Sequence, residues 1–234
     1  MNIISIQDGR KLNIDKKETY RYLGYHFGGE VPLDDELEKM VDDLTGKLKE
    51  VITPRCAYEM YRLCVKEDIC SLSRYSRYSC NDHGQTSMDV NENLDDSEES
   101  LLVIKSSKLS AHIKECRYAI LFAATVGPGA DMLIRRFSGR STIKPAILQA
   151  VGAAAIEAFA DDMTEQIRAE LDNVLQNKDT RFKMRFSPGY GDFSLEHQKE
   201  FFSLLQLEKN LGMSLNSALL MSPSKSITAV IGVL

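Results

Sequence analysis

Arg181-Phe182-Lys183-Met184-Arg185-Phe186-Ser187-Pro188-Gly189-Tyr190-Gly191-Asp192 is the stretch on which the reading of this chain turns. Phe182, Met184 and Phe186 alternate with Arg181, Lys183 and Arg185, the period of a half-buried strand. The alternation sends Arg185 away from the face that carries Phe186, toward water or a ligand. Pro188-Gly189 then forces a turn, and the backbone, lacking a Cβ at Gly189, can approach a bound molecule closely. A guanidinium fork suits a carboxylate or phosphate, and Tyr190 offers a flat face and a hydroxyl. An ordinary β-turn beside a solvated arginine fits the same residues, so the motif must be weighed with its surroundings.

Downstream, Ser194 can cap a helix carrying Phe201, Leu204, Leu205 and Leu211, closed by Gly212. Ala218–Met221 and Ile227–Val233 read as a closing hairpin about Ser222-Pro223-Ser224-Lys225. Upstream lies the longest helix, with Leu148, Val151, Ala155, Phe159, Met163, Ile167, Leu171 and Leu175 in one stripe. Its segment Gly152-Ala153-Ala154-Ala155 is small enough to admit a neighbouring backbone or a ligand. Ala130 to Phe137 looks helical. Tyr118 to Thr125 is almost wholly apolar and reads as a central strand buried on both faces.

The N-terminal half is less uniform. Ile3–Ile6 and Leu12–Ile14 flank Asp8-Gly9 as a plausible hairpin, and Asp15 with Glu18 forms a capping box for a short helix ending before Gly24. A longer helix follows Asp34, carrying Leu37, Met40, Val41, Leu44, Leu48 and Val51 until Pro54 stops it. Ala57 to Val65 reads as a further helix packed by Tyr58, Tyr61 and Leu63. Residues 71–100 read as a disordered acidic insertion: Asp82 to Ser100 holds seven acids and no Lys or Arg, so the rest of the chain carries +2 of a net charge of -5. Leu101–Ile104 is a short strand, followed by a Ser107-capped helix through Leu109, Ile113 and Cys116. The expected fold is α+β, a single domain over residues 1–234 with a largely antiparallel twisted sheet and flanking helices.

The net charge of -5 argues against a general nucleic-acid binder. No apolar run reaches the roughly 18 residues of a membrane span, and no signal peptide opens the chain, so a cytoplasmic place is expected. Five cysteines read as reduced thiols, too unevenly spaced for a zinc knuckle, and no metal site is expected. Neither His26, His83, His112 nor His197 stands in a nucleophile or metal-hydrolase motif.

Two further constellations carry chemistry. Thr125-Val126-Gly127-Pro128-Gly129 follows a buried strand and opens a helix, a place where glycines can cradle phosphates. It lacks the third glycine of a dinucleotide fingerprint, and Pro128 removes an amide donor. Glu157 borders the small-residue patch of the long helix, where a carboxylate can hold an ammonium, a sulfonium or a ribose hydroxyl; a partly exposed surface glutamate is the plainer reading.

Three stretches taken together resemble the activation domain of vitamin B12-dependent methionine synthase. Arg185-Phe186-Ser187-Pro188-Gly189-Tyr190 is similar to that family's Arg-Pro-x-Pro-Gly-Tyr motif, with Phe186 in place of a proline. Ile156-Glu157-Ala158-Phe159-Ala160 is similar to its glutamate-bearing helix. Leu211-Gly212-Met213-Ser214-Leu215, continuing to Met221-Ser222-Pro223, is similar to its Gly-Met-x-Leu segment. The resemblance implies a module that binds S-adenosylmethionine. In it Arg185 would take the ligand's carboxylate and Glu157 its cationic amino-acid end. The backbone at Ser187 and Gly189 would meet adenine or ribose, with Tyr190 lining the pocket. The family's N-terminal acid has Asp15 as one of several counterparts. A further pair of ligand-lining tyrosines would lie beyond Leu234, so the pocket is expected without that wall.

By the same resemblance, cob(II)alamin formed by accidental oxidation is reduced by one electron and methylated from S-adenosylmethionine. The module is expected to work in trans, with cobalamin carried by a partner corrinoid-binding methyltransferase or truncated methionine synthase and a flavodoxin- or ferredoxin-type reductant. It would belong to the methyltransferase class without a nucleophile or base of its own. Two alternatives stand beside this: a non-enzymatic scaffold that has lost the pocket, and an ordinary S-adenosylmethionine methyltransferase using the Gly127–Gly129 loop, which requires a parallel doubly wound sheet.

Overall fold

The computed structural model describes residues 3–6, 8–25, 35–75, 79–80, 86–87, 100–139, 141–175 and 180–234. Its strands are β1 (Ile3–Ile6), β2 (Arg55–Lys66), β3 (Ile69–Arg74), β4 (Leu102–Lys105), β5 (Tyr118–Thr125) and β6 (Ser226–Val233). Its helices are α1 (Lys16–Tyr22), α2 (Asp35–Val51), α3 (Ser107–Ile113), α4 (Gly129–Phe137), α5 (Ile143–Leu175), α6 (Gln198–Leu204) and α7 (Leu207–Leu211). The sheet runs β6-β5-β2-β3-β4, every pair antiparallel, with β1 paired to the first residues of β2. This is the antiparallel α+β architecture expected from the sequence.

Helices cover both faces. On one side α1, α2, α4 and α5 bury Cys56, Tyr58, Ile120, Phe122, Ala124, Ile231 and Val233. On the other, α3, α6 and α7 bury Ala57, Tyr61, Leu63, Ala119, Leu121, Ala123 and Val230. β5 is therefore apolar at successive positions because each face meets its own core, and Phe122 and Leu121 are both fully buried. Burying each such side chain is worth roughly 1.5–3 kcal/mol.

The same double burial hid β2. The span 57–65 looks helical because Tyr58 and Tyr61 are three apart, yet it is a strand whose Tyr58 packs under α5 and whose Tyr61 packs on the opposite face. The Tyr58 hydroxyl donates to the Glu170 carboxylate of α5. Residues 71–74, placed in the acidic insertion by composition, belong to β3, bonded between β2 and β4. The remainder of that insertion lies outside the described residues except for Tyr75, Ser100 and the two-residue pairing of Ser79–Cys80 with Thr86–Ser87. His26 and His83 also lie outside the described residues.

Three local readings change. The stretch after Asp8 is a 3-10 turn, Gly9–Lys11, and β1 pairs with β2 instead of forming a hairpin with 12–14. The cap of α3 is Ser106, whose hydroxyl accepts from the Leu109 amide at 3.1 Å. The expected pairing of 218–221 with 227–233 does not form: Met221–Ser222 pairs with Ser214–Leu215, while β6 runs the full length of β5. Long-range pairing with a buried strand outweighs the local turn. Elsewhere the readings hold: Asp15 caps α1, Ser194 caps the 3-10 turn Leu195–His197, and Gly212 closes α7 at φ 66°. Gln206, at φ 48°, divides the last helix in two.

By length and composition α5 qualifies as a membrane-crossing helix, but its apolar stripe from Leu148 to Leu171 is the core under the sheet.

Candidate functional site

The segment 181–186 lies along the outer edge of β6, held by Lys183 N–H to the Gly232 carbonyl (2.9 Å) and a reciprocal pair between Phe186 and Val230 (2.9 Å each). Phe182 stands opposite Val233 and Phe186 opposite Val230. Four steps on this segment thus match three on β6, which is a bulge, and a bulge moves the following side chains to the other face. Phe182 accordingly packs into the α5-side core and Phe186 into the α3-side core, while Met184 is 82% exposed. The expectation that all three share a face fails for that reason.

Arg185 does point away from the face of Phe186, but it meets α5 instead of water. Its side chain is only 17% exposed. Nη2 reaches Glu157 Oε2 at 2.9 Å, and Nη1 reaches Asp161 Oδ1 at 2.7 Å and donates to Thr164 Oγ1 at 3.4 Å. Residues 157, 161 and 164 fall on one face of α5, the i, i+4, i+7 geometry of a helix. The Thr164 hydroxyl in turn donates to the Ala160 carbonyl at 2.7 Å, leaving its lone pairs to the guanidinium. Two residues assigned to opposite ends of a ligand are therefore bonded to each other. Asp161 and Thr164 had not been singled out, although their spacing from Glu157 was the available signal.

The loop beyond Phe186 is rigidly built. Gly189 (φ 90°) donates to the Phe193 carbonyl at 2.7 Å, Tyr190 N–H to the Ser187 carbonyl at 3.1 Å, and Phe193 N–H to the Tyr190 carbonyl at 3.1 Å. Pro188 is buried. Tyr190 is 69% exposed and rests edge-on against Phe186, ring centres 5.4 Å apart. Phe186 also contacts Phe193 and His112, and the His112 ring nitrogen bonds the Met184 carbonyl at 2.9 Å. Asp192 fastens the loop to the start of α3. It accepts from the Ser106 hydroxyl (2.5 Å), the Ser107 amide (2.8 Å) and hydroxyl (2.7 Å), and the Lys108 amide (3.2 Å). These donors, the Ser106 hydroxyl foremost, hold its carboxyl well below the usual carboxylate range.

The other candidates are occupied by the protein itself. A Cβ at Gly127 would meet Thr53 and one at Gly129 would meet the Val51 carbonyl oxygen at 1.9 Å, so both glycines exist to seat the end of α2. The small patch of α5 admits a neighbour from within: the stem of Lys225 crosses Gly152, and its ammonium is pushed below its ordinary range by burial, partly offset by Asp131. Asp15 is used as a helix cap, accepting from the Lys17 amide at 2.7 Å. Among the described residues no group of three or more His, Cys, Asp or Glu is placed to hold a metal ion.

A wholly antiparallel sheet between two helical layers sets this molecule apart from doubly wound methyltransferases and gives it the reactivation-domain fold. The chain belongs to the family described as vitamin B12 dependent methionine synthase, activation domain, which matches residues 48–233. It is thus a methyltransferase-associated module. Thirteen solved chains match it. Among them, the crystal structure of the MetH reactivation domain bound to AdoHcy is similar at a TM-score of 0.66 and 18% identity, over 99% of this chain and 78% of that one. That likeness speaks for the fold. No curated protein sequence matches the chain.

Proposed function

We propose that residues 1–234 act as one S-adenosylmethionine-binding reactivation module for a corrinoid methyltransferase of methionine synthase type. The observation that carries this reading is the Arg185–Glu157 pair, 2.9 Å apart, on the segment that leads into the Ser187–Tyr190 loop. An α-amino acid end presents a carboxylate and an ammonium side by side, so one internal ion pair exchanges for two to the ligand: Arg185 to the carboxylate, Glu157 to the ammonium.

The neighbouring solved structure holds AdoHcy, a ligand of the same adenosyl type. The residues present fit such a group. Gly189 takes a backbone conformation that favours glycine, the backbone at Ser187 and Gly189 meets adenine or ribose, and Tyr190 supplies an aromatic face. Bound S-adenosylmethionine supplies the methyl group. The protein's own residues bind it, orient it and hold its charged end fixed. In this reading the corrinoid is carried by a partner methyltransferase, and a flavodoxin- or ferredoxin-type protein supplies the electron. Cys56, Cys64, Cys70 and Cys116 are free thiols, which suits a cytoplasmic setting.

Calorimetry with S-adenosylmethionine tests the reading. Arg185→Ala should weaken binding at least tenfold, about 1.4 kcal/mol. Absence of binding by the wild type at millimolar ligand would leave a scaffold that keeps the fold without the pocket.

A further inference from the structure

We infer that Asp161 is a positioning residue for Arg185: it anchors the guanidinium when a ligand carboxylate displaces Glu157. This rests on the S-adenosylmethionine reading above.

The division of labour follows from which nitrogen each carboxylate serves. Glu157 holds Nη2, whereas Asp161 and Thr164 hold Nη1. Releasing Glu157 to an ammonium frees Nη2 alone, and the opposite edge of the fork stays pinned. Without Asp161 the released arginine would keep a single 3.4 Å bond to Thr164, too weak to hold a long side chain in one rotamer.

Chain direction decides which carboxylate faces the ligand. From Phe182 to Phe186 the chain runs from the level of Val233 to that of Val230, toward the Lys225 end of β6. The Lys225 side chain lies across Gly152, so that direction is also the direction from Asp161 through Glu157 to Gly152 along α5. Along α5, Glu157 is thus on the Gly152 side of Asp161, the side toward which the chain is heading as it enters the Ser187–Tyr190 loop. Exposure agrees with a supporting role on the surface: the Asp161 side chain is 70% exposed and the guanidinium it holds is largely covered.

The experiment is calorimetry on the whole chain with two probes, S-adenosylmethionine and its decarboxylated analogue, which keeps the sulfonium and amine but lacks the carboxylate. Asp161→Asn should weaken S-adenosylmethionine about fivefold and leave the decarboxylated analogue within about twofold, because the anchor acts only through the Arg185–carboxylate contact. Glu157→Gln should weaken both, since both carry the amine. Asp161→Glu should restore most of the S-adenosylmethionine affinity. Thermal melts confirm that each variant folds. Unchanged S-adenosylmethionine binding by Asp161→Asn, or equal weakening of both ligands, overturns the inference while the site reading stands. A wild type silent to both ligands removes the site reading itself.

Discussion

Two glycine-bearing turns in this molecule look alike in sequence and do opposite things. At Gly127-Pro128-Gly129 each missing Cβ is space taken by the protein itself, the Thr53 hydroxyl just past α2 at Gly127 and the Val51 carbonyl at the end of α2 at Gly129. The Thr53 amide donates to the Val126 carbonyl at 2.9 Å, and Gly127 N–H to the Thr125 hydroxyl at 3.1 Å, so the turn is closed on itself. Gly127 takes positive φ, 83°, as Gly189 and Gly191 do, 90° and 64°, but the Gly189-Tyr190-Gly191 loop leaves an aromatic ring facing solvent. Glycine after a strand announces that something comes close. Only the neighbour shows whether that something is the fold or a ligand.

The largest expected effect breaks the first turn. In Gly129→Ala the new methyl would lie 1.9 Å from the Val51 oxygen and 2.7 Å from its carbonyl carbon, and neither atom can rotate aside. Overpacking of this kind costs about 3 kcal/mol or more, roughly 6–12 °C in melting temperature for a chain of this size. S-adenosylmethionine affinity of the folded protein should be unchanged. A variant that melts with the wild type would show that α2 is not seated on this glycine.

The second effect is smaller in stability and larger in binding. Gly189→Ala forces an L-residue to φ 90° and brings its Cβ to 3.2 Å from Leu195. The strain is about 1–2 kcal/mol, and relief of it shifts the loop that carries Tyr190. Melting should fall by less than in Gly129→Ala, while S-adenosylmethionine binding in calorimetry weakens about tenfold. If the ranking of the two variants is the same for melting and for binding, the contrast between the turns is wrong.

What could be read without the structure followed the same divide between local and distant neighbours. The run from Tyr118 to Thr125 was legible because both its faces meet apolar cores and no charged residue interrupts it. β2 is buried on both faces too, but Glu59 and Arg62 interrupt it at helix-like intervals, and its period was lost. For Arg185, the sequence showed which face it leaves by. It did not show that a bulge sets the segment against α5, or that Glu157 and Asp161 wait there, because the pairing spans 28 residues. The Asp192 clamp spans 85 residues to Ser107 and left no local trace.

That clamp gives the subtlest way to sharpen the comparison. Asp192 is bonded by donors from Ser106, Ser107 and Lys108, and its carboxyl is held below the ordinary value of 3.8. The charged form is the one the fold favours, so its contribution is fully present above about pH 4, the unfolded value, and fades as pH falls through the lower folded value. Asp192→Asn should therefore melt below the wild type at pH 7, by less than either glycine variant, with the gap closing on acidification from about pH 4 downward. Thermal melts of both proteins across that range measure the gap directly. A gap that stays constant into strong acid would mean the loop is held to α3 by packing of Phe186 and Phe193 rather than by the charge on Asp192.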